Sequence, residues 1–173
     1  MSSTLDRPTF RALERDEIYQ VLSRNHVGRM AFARGTRMDV EPVHYVYEGG
    51  WIYGRTSRGA KLEATEQEWW PVAFEVDEIH GLFRWRSVVV HGGFYTMSPD
   101  HGAWEREQWD AAVRVLRRLI PETFTDADPT PFRNVVFRIA VQEVSGRAAE
   151  PGTHAAPAAA ELDLPPSLPI GAP

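Results

Sequence analysis

The stretch Arg84–Met97, RWRSVVVHGGFYTM, constrains this chain more than any other. It reads as one strand, well beyond the usual length of about 5–6 residues. The β-branched Val88, Val89 and Val90 lie at its centre, and β-branched side chains fit a pleated surface. The Gly92-Gly93 pair then marks a bulge or a sharp bend. Long, bent strands suit barrels, which predicts that the rest of the chain closes around this one.

The other segments agree with that prediction. Ile18, Val21 and Leu22 stand among charged neighbours between Leu13 and Asn25, the spacing of a short helix with one buried stripe. Val27–Arg34 and Met38–Tyr47 read as strands around a turn at Gly35-Thr36. Pro42 cannot donate to a ladder, so the second of these has an interruption or an edge there. Gly49-Gly50 is the two-residue signal of a hairpin, and Trp51–Tyr53 is the strand after it. Val72–Asp77 alternates as a half-buried strand, with Ile79–Phe83 as a connection. Ser98-Pro99-Asp100 predicts a helix start, with Trp109, Val113, Leu116 and Ile120 on one face and Pro121 as its stop. Asn134–Val144 is a last strand. Six strands with helices inserted irregularly predict an α+β protein that is mainly β, an antiparallel barrel rather than a parallel βαβ sheet.

One loop gathers chemistry. Gly54 to Lys61 collects Arg55, Thr56, Ser57, Arg58, Gly59 and Lys61, a set of hydroxyls, cations and backbone freedom suited to cradling phosphate. A helix beginning near Ala60 would aim its free N–H groups at the same place. The 19 basic residues comprise 18 arginines and this single lysine. A compact ammonium on a flexible stem binds differently from a guanidinium fork.

Composition removes several function classes. A net charge of −5 and a pI near 5.7 give no global basic field for nucleic acid or anionic membrane. With no cysteine there is no disulfide, thiolate metal site, iron–sulfur cluster or cysteine nucleophile. No signal peptide or long apolar span is visible, which predicts a cytoplasmic protein. The six histidines form no HExxH-type cluster, although His44 and His91 lie mid-strand and could converge in a barrel. Ser57 and Ser87 lack a nucleophile elbow, and no dinucleotide fingerprint follows a strand. A phosphate cradle, an interrupted strand beside it and the aromatic Trp85-Arg86-Ser87 strand fit a phosphorylated aromatic cofactor.

The succession VGRMAF, VEPVHYVYEGGWIYGRT, GAKLEA, PVAFEVDEI, WRSVVVHGGFYTM and VSGR resembles the FMN-binding split-barrel proteins. Within them it is most similar to the pyridoxamine 5'-phosphate oxidase-like group that includes nitroimidazole-resistance flavoproteins. The likeness covers about residues 14–147. It implies a six-stranded antiparallel split β-barrel with flanking helices, working as a homodimer with two FMN sites at the interface. It implies that Arg55, Thr56, Ser57 and Lys61 hold the FMN phosphate. Glu41, Pro42, Val43 and His44 would lay backbone along the isoalloxazine edge, and Trp85 and Ser87 would approach the ring. The implied activity is flavin-mediated hydride or electron transfer with a small-molecule substrate, in which the flavin carries the chemistry and no amino-acid acid or base is assigned. The basic substrate-binding region near the C-terminus of the true pyridoxamine phosphate oxidases is missing, which argues against vitamin B6 oxidation. A non-catalytic protein that sequesters flavin or haem, with His44 or His91 as axial ligand, is the alternative; the deazaflavin coenzyme is a further candidate ligand.

The split-barrel domain is expected over residues 1–147. Six of the 13 prolines fall between Pro151 and Pro173 beside an alanine run, so residues 148–173 are expected to be a disordered tail.

Overall fold

The computed structural model describes residues 7–58 and 70–152. The elements are β1 (Thr9–Ala12), α1 (Arg15–Arg24), β2 (Val27–Arg34), β3 (Arg37–Glu48), β4 (Trp51–Thr56), β5 (Trp70–Gly81), β6 (Arg84–Met97), α2 (Ala103–Leu116) and β7 (Val135–Glu150). All strand pairings are antiparallel. The order is β1-β7-β4-β3-β2-β5-β6, and β6 returns to β7. Six strands therefore close a ring, and β1 is added to the far end of β7.

Closure depends on β7. Its residues 136–140 pair with β4 on one edge and with β6 on the other. Near its other end, residues 147–150 pair with β1. The bend expected at Gly92 is a register shift against β7 between His91 and Gly92. There the backbones approach so closely that a Cβ on Gly92 would lie 1.8 Å from the Ala140 carbonyl oxygen, so only glycine fits. The Gly49-Gly50 hairpin also forms, with φ of 60° and 83° at the two residues, the positive values its tight turn demands.

The ring is filled, not hollow. Met30, Phe32, Tyr45, Phe74, Phe94, Phe137 and Ile139 are buried inside it with Val76, Val88 and Val90. Helix α1 closes one end with the stripe its spacing predicts, Ile18, Val21 and Leu22. The Tyr45 hydroxyl donates to the Leu22 carbonyl at 2.9 Å and ties the plug to the wall. Outside the ring, α2 packs Ala112, Val113 and Leu116 on Val136, with Trp109 and Tyr53 alongside.

Several boundaries differ from expectation. β4 continues to Thr56 because β7 pairs it through Val135. β5 continues to Gly81, and Ile79 pairs with Trp85 instead of lying in a connection. Helix α2 starts after Gly102, beyond the Ser98-Pro99 signal, and ends at Leu116 before reaching Ile120. β7 continues past Val144 to Glu150, so residue 147 falls within a strand, and Ala148 and Ala149 are buried. Strand β1 carries no alternating apolar pattern and exists because β7 offers it an edge. The helix expected from Ala60 lies outside the described residues.

Candidate functional site

Two strands that leave the Gly49-Gly50 hairpin together part company at its far end. β3 and β4 pair only over Tyr45–Glu48 and Trp51–Gly54. Beyond that, Arg55 and Thr56 pair with β7, whereas residues 37–44 of β3 pair with β2. A fork opens, with Pro42 and His44 on one prong and Thr56, Ser57 and Arg58 on the other. The Tyr45 N–H donates to the His26 carbonyl at 3.0 Å. Backbone alternation then turns Val43 and Tyr45 toward β2, and Pro42 and His44 toward the fork. Proline is tolerated at position 42 because its missing N–H would face an edge that, among the described residues, pairs with no strand. The side chains of Pro42 and His44 are exposed, while that of Val43 is buried in the core. Val43 thus turns both side chain and backbone away from the fork.

On the other prong the cations are placed unequally. Ser57 and Arg58 are exposed at the strand end. Thr56 is nearly buried, and among the described residues its hydroxyl makes only a long 3.4 Å contact to the Ser57 carbonyl. Lys61 lies outside the described residues. Arg55 is 6% exposed and committed to an ion pair with Asp128, which is 2% exposed. It donates to Asp128 Oδ1 and to Thr130 Oγ1, both at 2.8 Å. Asp128 also accepts the backbone N–H groups of Phe124 and Thr130, each at 2.9 Å. The Arg55 guanidinium, followed by desolvation working in opposition and the two backbone donors, leaves the Asp128 carboxyl well below the ordinary range. Arg55 therefore latches the loop after α2 onto the barrel beside the fork. His44, Arg55, Thr130 and Arg133 line a crevice of about 20 Å³ there.

Trp85 and Ser87 are elsewhere. They alternate with buried Val88 and Val90 and so stand on the outer face of β6. Trp85 pairs across β7 with Ala149, and Thr56 with Val135. The two positions are roughly 45 Å apart measured along the strand. Ser87 donates to Glu75 at 3.0 Å, and Glu75 accepts from Arg29 at 3.0 Å. The Trp85 ring lies 6.3 Å from that of Phe10. One chain does not bring these residues to the fork.

Between the two regions runs an apolar outer sheet face. Val27, Met38 and Val40 are 56%, 65% and 61% exposed. The small residues Ala31 and Ala33 stand opposite Val40 and Met38, and Ala73 stands beside Ala31. His44 and His91, which could converge in a barrel, do not meet within the ring, since both side chains are exposed. Among the described residues, no group of three His, Asp or Glu side chains could hold a metal ion.

The sequence reading missed a second region. A cavity of about 600 Å³ opens where α1 meets the extended β5–β6 hairpin, lined by Arg24, Glu78, Arg84, Trp85, Arg86 and Glu150 among others. Its only local signal is the RWR triplet. The reading also missed Asp128 and Thr130, which carry no signal of being Arg55's partners.

Residues 14–148 match the family described as Pyridoxamine 5'-phosphate oxidase. Among solved structures, a FAD-binding protein from Mesorhizobium loti is 30% identical, with a TM-score of 0.63, over 80% of this chain and 96% of that one. A candidate 5-nitroimidazole antibiotic resistance protein from Bacteroides thetaiotaomicron has a TM-score of 0.65 at 15% identity, over 83% of this chain and 89% of that one. A FAD- and haem-binding protein from Mycobacterium smegmatis has a TM-score of 0.55 at 17% identity, over 91% and 92%. No curated protein matches the chain. No helix among the described residues is long and apolar enough to cross a membrane.

Proposed function

The chain belongs to the pyridoxamine 5'-phosphate oxidase family, and from that membership and the fork between β3 and β4 we propose that it is a flavin-dependent oxidoreductase that binds FMN and works as a homodimer on a small-molecule substrate. The fork carries this reading. It juxtaposes a strand edge at Pro42 and His44, paired with no strand among the described residues, with the Thr56 and Ser57 hydroxyls, and Lys61 follows four residues after Ser57 in the sequence. Such a set fits a phosphorylated ring: hydroxyls and an ammonium for the phosphate, backbone groups for the ring edge. The weak contact of the Thr56 hydroxyl leaves it available to a stronger acceptor. Arg55 serves by holding the neighbouring loop, its charge already matched by Asp128.

Bound flavin supplies the hydride or electron transfer. The protein's part is orientation by the Pro42–His44 edge, charge matching by Lys61 and exclusion of water. Exclusion needs a second wall, which the apolar face of Val27, Met38 and Val40 supports. Exposed apolar surface of this kind marks an interface, and a second copy seated on it can carry the partner subunit's Trp85 and Ser87 to the fork.

The Mesorhizobium relative is described as binding FAD, which supports flavin. Purified protein should be yellow, release FMN on denaturation and sediment as a dimer. Folded, colourless protein that takes up no added FMN contradicts the proposal. A haem-sequestering reading draws on the exposed His44 imidazole at the fork and on the Mycobacterium relative described as binding FAD and haem. It requires a Soret band on haem titration that disappears in His44→Ala.

A further inference from the structure

We infer that the 600 Å³ cavity under the β5–β6 hairpin is a second, separate anion-binding site that takes a small molecule bearing a carboxylate or phosphate group, recognised by Arg84 and Arg86. The size is that of a small-molecule pocket, for which about 300–1,000 Å³ is usual. Charge bookkeeping at its wall leaves cations over. Glu78 is taken by Arg24 and by Asn25, the latter at 2.7 Å. Glu150 accepts two bonds from Arg11, at 3.0 and 2.8 Å. Glu17 accepts two more from the same Arg11, at 2.7 and 2.8 Å, and its carboxyl is pulled down to about 2 chiefly by that guanidinium.

The three carboxylates near the cavity are thus satisfied by Arg11 and Arg24. Arg86 approaches Glu17 at 3.9 Å, beyond hydrogen-bond range, and stands opposite Glu78 in the β5–β6 ladder, but among the described residues it donates a hydrogen bond to neither. Arg84 is exposed and makes no ion pair among the described residues. Two guanidinium forks whose N–H groups make no hydrogen bond among the described residues, bordering one cavity, are an arrangement that binds an oxyanion bidentately. The His80 side chain adds a further donor on the cavity wall. This site differs from the proposed flavin cradle in its elements, lying on β5, β6 and the end of β7 rather than at the end of β4.

Calorimetric titration of the full-length protein with phenyl phosphate and with benzoate tests the inference, and the two arms distinguish phosphate from carboxylate. At least one should saturate with a dissociation constant below a few millimolar, and phenol and benzamide should not bind. Arg84→Ala/Arg86→Ala should weaken binding at least tenfold with an unchanged circular dichroism spectrum, and the exposed Arg84→Glu alone should do so as well. Lys61→Ala should leave this binding unchanged, which separates it from the flavin cradle. Absence of saturable binding in both arms overturns the inference. So does binding that survives in both arginine variants, or binding that is lost in Lys61→Ala instead.

Discussion

Replacing Asp128 with asparagine removes the countercharge of a guanidinium that has almost no access to water. Arg55 is 6% exposed, and its described hydrogen bonds go to Asp128 and Thr130. A buried ion pair adds little net stability as a pair, but breaking one side strands a charge at a cost of about 3–5 kcal/mol. For a chain of this size each kcal/mol moves Tm by about 2–4 °C, so Asp128→Asn should lower it by roughly 6–20 °C. The double variant Arg55→Met/Asp128→Leu should recover much of the loss, because it strands no charge. The pH dependence has a defined sign. The folded carboxyl lies below its ordinary value of about 4. Between the two values the unfolded chain holds the proton and the folded chain does not, so stability rises with pH there. The contribution is complete above about pH 5 and drains away as pH falls through 4 toward the folded value. Chemical denaturation of wild type and variants at pH 7 and at pH 3.5 measures this. A loss below about 1 kcal/mol at pH 7, or an undiminished difference between wild type and Asp128→Asn in acid, would refute the latch.

Three further outcomes follow from the fold. Tyr45→Phe, which removes the buried hydroxyl bond to Leu22, should cost about 1 kcal/mol in urea denaturation. Gly92→Ala places a methyl group into the Ala140 carbonyl and should lower stability by about 1–3 kcal/mol or more, with loss of a cooperative thermal transition as the extreme outcome. Truncation after Arg147 removes the buried Ala148 and Ala149 and three of the four register partners of β1. It should lower Tm measurably, whereas truncation after Gly152 should leave Tm within error.

Legibility in the sequence followed local pattern. β6 and β2 form over the very residues their β-branched and apolar content marks, and α1 buries its predicted stripe. The end of β7 was hidden because Ala148 and Ala149 resemble the alanine-rich tail, and only the pairing with β1 and β6 distinguishes them. The fork was half legible: Pro42 marked an edge, but that β4 lies alongside it is a property of the hairpin register. Arg55 looked like a phosphate ligand because its partner Asp128 lies 73 residues away and carries no local mark. Trp85 and Ser87 were grouped with the cradle by their chemistry and by resemblance, and a single chain holds them at the other end of β7.

The most direct test of the flavin proposal is the affinity of Lys61→Ala for FMN and for riboflavin, measured side by side by flavin fluorescence. A charge-assisted contact to a phosphate dianion is worth about 1.5–3 kcal/mol. FMN binding should therefore weaken by about 10- to 150-fold, while the weaker binding of riboflavin, which lacks the phosphate, should hardly change. Lys61→Arg should recover only part of the loss, since a planar fork does not reproduce an ammonium. Equal losses for both ligands, or no loss for either, would contradict a phosphate cradle at the end of β4.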